Sequence, residues 1–403
     1  MDTHLTPTSY TRYGLPLVAF FIHFLVALDG LMSVPLSAMM TAASHTPVSQ
    51  AGYLTSSYTL AAAITCLLIR SRTSNRFIVM LYLIGLAAST VAVTATSDFA
   101  FMLAARVAAG VFGGALTVLN VEHLLACTHP SQKKKFTAYI MSTYPLALTV
   151  GIPVLLLFAG KTDWQSAFWM VGGLLVIALL GFGLLPLSSF TSIANTANAC
   201  PPPAAGSQSH TVDEGMNRPL IAGIATIILA VFSTFLLSLQ FPVMLLERLA
   251  ISEAQLSLSY LLGGSGCFVA MQWYGRHHPK QSLRLITALS GGMVITALAG
   301  FSLQWSLLAV FCFAGFMVVS ATRTLVLVTE IISSVSDSIR VRVLGMQNAL
   351  QHFAVGSAGA ISSMLIIPAE AGSPGYTPLL VFAILCIGIT PVMWRMTLRL
   401  SRA

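Results

Sequence analysis

The strongest restriction on this chain is its succession of uninterrupted apolar runs, separated by short polar or basic breaks. Each run is near the roughly 20 residues an α-helix needs to cross the hydrocarbon core of a bilayer. Read between breaks, the runs cover 14–39, 50–69, 77–95, 99–126, 136–159, 166–188, 219–246, 253–274, 283–301, 304–333, 343–367 and 377–396. A barrel strand needs only about 10 residues of alternating polarity. These runs do not alternate, so a barrel is excluded and helices are left as the only spanning form. Of the 403 residues, 8% are Asp, Glu, Lys or Arg and 56% are apolar, whereas a water-soluble domain carries about 25% charged residues. The first run, from Gly14 to about Met40, exceeds a signal-peptide core and has no small-residue cleavage site behind it, so it reads as a true first span. The six cysteines are scattered without a CxxC pair, which points to reduced packing residues and not to a disulfide framework or metal cluster.

Charge fixes the expected orientation. The net charge is +8, but the basic residues flank the spans and form no patch on a soluble domain, which argues against a nucleic-acid partner. With a cytoplasmic N-terminus, 16 of the 20 Lys and Arg residues fall on the cytoplasmic side, among them Arg12, Arg70, Arg72, Arg76, Lys133–Lys135, Arg276, Arg340 and Arg342. Only Lys161 and Arg248 fall outside, as the positive-inside rule requires, and Arg106 and Arg323 lie within spans.

The one long polar segment, 189–217, carries Pro201–Pro203 among Ser, Ala, Gly and Asn and reads as a cytoplasmic linker. It separates an N-terminal unit of six spans, 1–188, from a second six-span unit, 218–403. The two repeat one another. Ser49-Gln50-Ala51 opens the second span and Ser252-Glu253-Ala254 the eighth, each followed by a Tyr about nine residues on, and basic residues end both the fourth and the tenth. Duplication of this kind, with a substrate site near the midplane between the halves, is a common plan of secondary transporters.

The fourth and fifth spans carry a more specific likeness. Leu103-Ala104-Ala105-Arg106-Val107-Ala108-Ala109-Gly110-Val111-Phe112-Gly113-Gly114 is similar to the RxxxG-small-small motif of the major facilitator superfamily. Thr149-Val150-Gly151-Ile152-Pro153 resembles the Gly-Pro motif of that superfamily's drug-exporting antiporters, and Trp164 to Phe168 its W-x-x-x-F lead-in to helix six. The resemblance covers the whole chain in topology and about 60 residues in motif. It implies an all-α membrane protein with twelve transmembrane helices in two pseudo-symmetric six-helix bundles. Two departures stand against it. The loop after span two reads Arg70-Ser71-Arg72-Thr73-Ser74-Asn75-Arg76, lacking the family's Asp and both Gly residues. One residue separates the Gly and Pro of the antiporter motif, and the following Gly pair is missing.

An ionisable side chain at bilayer depth costs about 2.5–3.5 kcal/mol on insertion scales, so each needs a partner or a task. Asp29 lies near the middle of span one among Ala27, Leu28, Gly30 and Leu31; it reads either as a proton-carrying carboxylate or as a permanent salt-bridge partner of another helix. Arg106 shares a helix face with Gly110, Gly113 and Thr117, whose small side chains let a neighbouring helix approach. The resemblance implies that Arg106 faces helix one and takes part in proton exchange, with Asp29 as its expected neighbour. Arg323, slightly toward the cytoplasm from the middle of span ten, has no acid at its depth, since Glu330 is roughly 10 Å further along the helix. A guanidinium there can hold a carboxylate or phosphate in bidentate fashion. Two deep arginines against one deep aspartate favour an anionic or zwitterionic solute.

His352, beside Gln347, Asn348 and Gln351 in span eleven, makes a polar cluster suited to substrate or proton binding, and Gln240 is a weaker member of the same set. His23 lies about 120° round the helix from Asp29 and reads as a packed residue. The resemblance also implies that Glu122 and Glu330 close the cytoplasmic side as latches, Glu122 with Arg70, Arg72 or Arg76, and Glu330 with Arg276. No HExxH, GxSxG or phosphate-loop spacing is present, which leaves an enzyme without support. The expected protein is therefore a monomeric inner-membrane transporter without cofactor or metal, its termini cytoplasmic. It would use protons to export a siderophore-like metabolite or a drug as an antiporter, or else to import a nutrient anion or metal chelate.

Overall fold

A computed structural model describes residues 9–69, 76–126, 142–185, 218–277, 281–335, 337–367 and 375–401, together with 128, 132, 136, 139 and 140. The expected linker lies outside the described residues, as do Arg70, Arg72 and Lys133–Lys135. The described residues form twelve long helices: α1 Ser9–Ala43, α2 Ala51–Leu68, α3 Arg76–Ala92, α4 Phe99–Ala126, α5 Thr143–Ala159, α6 Trp164–Leu184, α7 Arg218–Leu249, α8 Glu253–His277, α9 Ser282–Ser302, α10 Ser306–Ser333, α11 Asp337–Met364 and α12 Thr377–Leu400. Among the described residues nine are long and apolar enough to cross a membrane, α3 and α5 are shorter apolar helices, and α11 falls in neither group. Large apolar side chains such as Leu68, Phe77, Leu184, Ile295 and Trp305 are exposed around the outside. In water such a surface would aggregate; in a bilayer it is the lipid-facing girdle.

Proline explains the two irregular helices. Pro242 has no N–H to donate and crowds the carbonyl four residues back, and α7 accordingly breaks at Leu239 into Arg218–Ser238 and Gln240–Leu249. In α5, Pro145 and Pro153 flank a π-helical turn at Ala147–Gly151, a usual way to absorb a missing ladder bond.

Helices α1–α6 pack with one another, as do α7–α12, and the two sets meet along α2 with α11, α5 with α8, and α1 with the second segment of α7. The closest approaches need small residues. A Cβ on Gly52 of α2 would strike the Gly359 carbonyl of α11, and one on Gly264 of α8 would strike Thr149 of α5. Where α1 passes into α2, and α7 into α8, this interface is sealed. Leu31–Ala38 and Leu239–Leu245 are buried without interruption, and Ala38, Ala51 and Val243 form one apolar cluster. Toward the opposite, basic end the stripe His23, Ala27 and Gly30 of α1 is only half-buried, so the interface opens in that direction.

Candidate functional site

Inside the first set of helices, Arg106 of α4 reaches across to α1. Its Nη1 donates to Asp29 Oδ1 at 3.2 Å and its Nη2 to the Asp29 backbone carbonyl at 2.8 Å. The Thr90 hydroxyl of α3 donates to the same Oδ1 at 3.0 Å. Both charged side chains are fully buried. Asp29 Oδ2 and Arg106 Nε have no hydrogen-bond partner among the described residues. One carboxylate oxygen is thus doubly held while the other keeps its lone pairs unused, an arrangement that can accept a proton at Oδ2 without first displacing Arg106.

The pair is set in place by packing. The Arg106 guanidinium lies over the Tyr58 ring of α2 at 4.5 Å and within 6.0 Å of Phe168 on α6, in the range of a cation–π contact. Tyr58 fits there because three glycines make room. A Cβ on Gly110 would collide with its carbonyl, one on Gly113 with its hydroxyl, and one on Gly30 would lie 3.0 Å from its ring. The helix that the small stripe beyond Arg106 admits is therefore α2.

Arg323 of α10 is also fully buried, but among the described residues it is held without an acid. Its Nη2 donates to the Ala230 carbonyl at 2.8 Å, Ser233 Oγ at 2.9 Å and Thr234 Oγ1 at 3.2 Å, all on α7, and its Nη1 to Ser290 Oγ of α9 at 3.5 Å. Nε has no partner among the described residues. Gln240, at the α7 break, is fully buried and donates from Nε2 to Ser362 Oγ of α11 at 3.0 Å, while its Oε1 is unpartnered. His352 and Gln351 are half-buried on α11.

Of the expected latch residues, Arg70 and Arg72 lie outside the described residues. Arg76 donates to the Phe182 and Gly183 carbonyls and so caps the end of α6 with a positive charge, where carbonyls lack helical partners. Glu122 is half-buried on α4 beside His123, whose ring stands edge-on to Phe182 at 5.6 Å. Arg276 is exposed on α8 and makes no ion pair with the half-buried Glu330 among the described residues. Both sit at the basic end, toward which the interface opens in this conformer. Thr90, Tyr58 and Ser290 were not expected at all. Of these only Tyr58 left a trace in the sequence, as the tyrosine shared by the openings of spans two and eight.

Residues 19–363 match the model of the Major Facilitator Superfamily. Solved structures share the fold. A bacterial homolog of the human lysosomal transporter Spinster, in an inward-facing and occupied conformation, superposes with a TM-score of 0.73 at 14% identity, over 97% of this chain and 98% of that one. The inward-open xylose transporter XylE from E. coli gives 0.66 at 14% identity, over 95% of each chain. The human organic anion transporter MFSD10 gives 0.57 at 17% identity, over 98% of this chain and 100% of that one. No curated protein matches the chain in sequence.

Proposed function

The chain belongs to the Major Facilitator Superfamily and is a secondary transporter, and on that premise we propose that it is a proton-coupled antiporter exporting a small organic zwitterion or anion by alternating access. The observation that carries this reading is the buried Asp29–Arg106 pair with its unpartnered Oδ2. An acid at this depth in a transporter is a proton site by default. A cationic group on the solute and a proton compete for the same carboxylate, so the two cross in opposite directions. Arg106 remains bound to the Asp29 backbone carbonyl throughout, which keeps α1 and α4 together as the charge changes. The solute's own carboxylate then needs a cation or donor on the far side, for which Arg323, His352, Gln351 and Gln240 are the residues offered by the second half. The linker, the cytoplasmic termini and the inner-membrane setting belong to the same proposal, resting on the charge asymmetry of the loops.

Arg323, buried without an acid, favours a second reading. A solute with no cationic group would bind best when Asp29 is protonated and Arg106 is freed, so that proton and anion move together, as in an importer. Flux in reconstituted vesicles under an imposed pH gradient separates the readings, with siderophore-like metabolites, drugs and organic anions as solutes and wild type beside Asp29→Asn. Solute moving against the proton flow, and losing its dependence on the gradient in Asp29→Asn, supports the antiporter. Solute moving with the protons supports the importer, and full coupling without Asp29 overturns both.

A further inference from the structure

His23 is a half-buried titratable group that the pair above leaves unused, and the packing of three helices shows toward which helix its face turns. On α1, His23 lies seven residues before Gly30, hence on the same face and about 10 Å nearer the basic end. Gly30 faces Tyr58 of α2. On α11, His352 lies four residues before Gly356, again on one face and about 6 Å nearer the basic end. Gly356 faces Thr59 and Leu60 of α2. Both α1 and α11 run antiparallel to α2, so the two histidines come to similar depth on the faces of α1 and α11 that turn toward the same helix. One turn beyond Thr59, α2 presents the buried Ala63, which leaves room between them.

Among the described residues no carboxylate forms an ion pair with either ring. Neither makes a hydrogen bond among the described residues, and His23 Nδ1 is buried without a partner. One turn further toward the basic end Asn348 continues the His352 face with an amide. Buried polar atoms are ordinarily satisfied, so the unpartnered His23 Nδ1, with a second imidazole at the same depth, marks a place for something that bonds to both rings. A metal ion fits poorly, because no group of three His, Cys, Asp or Glu side chains is found among the described residues.

We propose that His23 and His352, one from each half, form a carboxylate-binding site that the transported solute bridges. The carboxylate accepts one N–H from each ring, and bonds of this charge-assisted kind are the strong ones. Because the ligand touches α1 and α11 together, its binding draws the halves toward each other at the end that is open here. The proposal rests on the transport reading only for the class of ligand, and it gives His23 a role equal to that of His352.

Binding to the full chain in lipid nanodiscs at neutral pH, where each imidazole has one N–H to donate, tests it. The probes are succinate, citrate and glutamate, and the readout is calorimetry. At least one probe is expected to bind saturably, with affinity falling about tenfold or more in His23→Ala and equally in His352→Ala, the loss that goes with one hydrogen bond to a charged group. The exposed His277→Ala should bind as wild type, and thermal unfolding of each variant shows that it is folded. If either histidine variant does not fold, His23→Asn and His352→Asn replace it. No binding of any probe to wild type, or binding as tight as wild type by either histidine variant, overturns the site. Proton-driven flux with unchanged binding in the variants would remove this inference alone. Histidine-dependent binding without proton-driven flux would remove the antiporter and leave the site standing.

Discussion

Each half of the molecule buries an arginine on its fourth helix and turns it toward its first, yet the two are satisfied by opposite means. Arg106 meets the carboxylate and the backbone carbonyl of Asp29, and the α3 hydroxyl of Thr90 donates to that same carboxylate. Arg323 meets a carbonyl and hydroxyls from α7 and one hydroxyl from α9. The tyrosine near the start of the second helix in each half follows suit. Tyr58 lies under the Arg106 guanidinium, whereas Tyr260 meets Phe313 of α10 edge-on at 5.3 Å. The first half therefore holds a balanced pair whose charge can be switched by one proton, and the second holds a fixed positive charge. On the proposed reading, the first half would exchange the proton and the second would hold the anion.

The comparison is broken most directly at Arg106. Arg106→Met leaves Asp29 buried with no counter-charge, which costs about 3–5 kcal/mol when one partner of a buried pair is removed. A thermal unfolding midpoint well below wild type is expected. Adding Asp29→Asn to Arg106→Met should recover most of the loss, because the orphaned charge is gone. If the double variant is as unstable as the single, the destabilisation comes from packing around Tyr58 and not from the unpaired carboxylate.

The twelve helices were legible in the sequence because lipid leaves the backbone no alternative, and a run of apolar residues of the right length carries that restriction openly. Asp29 and Arg106 were legible for the same reason inverted: a charge in such a run is costly enough to stand out. Thr90, Ser233, Thr234 and Ser290 were not, since a hydroxyl in a membrane helix bonds its own backbone and carries no comparable cost. The break in α7 had its cause in view at Pro242, but the apolar run continues through it. His23 escaped because its face was judged against Asp29 on its own helix, while the proposed partner, His352, is brought by α11 from the other half. Local periodicity orders residues around one axis and says nothing of which distant helix closes on it.

A smaller effect sharpens the comparison at the glycines. Gly113→Ala drives a methyl group into the Tyr58 hydroxyl, an overpacking expected to cost about 1–3 kcal/mol. Tyr58→Phe should relieve part of that cost in the double variant, since the hydroxyl is the first atom struck. Gly315→Ala in α10 is the control. Its Cβ would stand 3.4 Å from the Thr296 methyl group, an ordinary contact, and the gain in helix propensity of about 1 kcal/mol is left to show. Equal destabilisation by the two alanines would mean that the tight slot around Arg106 is no tighter than the rest of the bundle.

The smallest effect on stability is expected at Arg323, and it is the most telling of the three. Ser233 and Thr234 already donate to the Ala230 carbonyl, at 3.1 and 2.9 Å, and that carbonyl sits within α7. Arg323→Met therefore leaves no opposite charge unpaired and costs only the Ser290 hydroxyl its long 3.5 Å bond, while it relieves the desolvation of a guanidinium. Replacing a buried charge by an apolar side chain of similar volume is often neutral or stabilising, so the unfolding free energy should change by less than about 1 kcal/mol. Binding of an anionic solute is where the loss should appear, as a weaker affinity in a protein as stable as wild type. Should Arg323→Met instead unfold like Arg106→Met, Arg323 would have a counter-charge of its own, and the second half would be a second balanced pair.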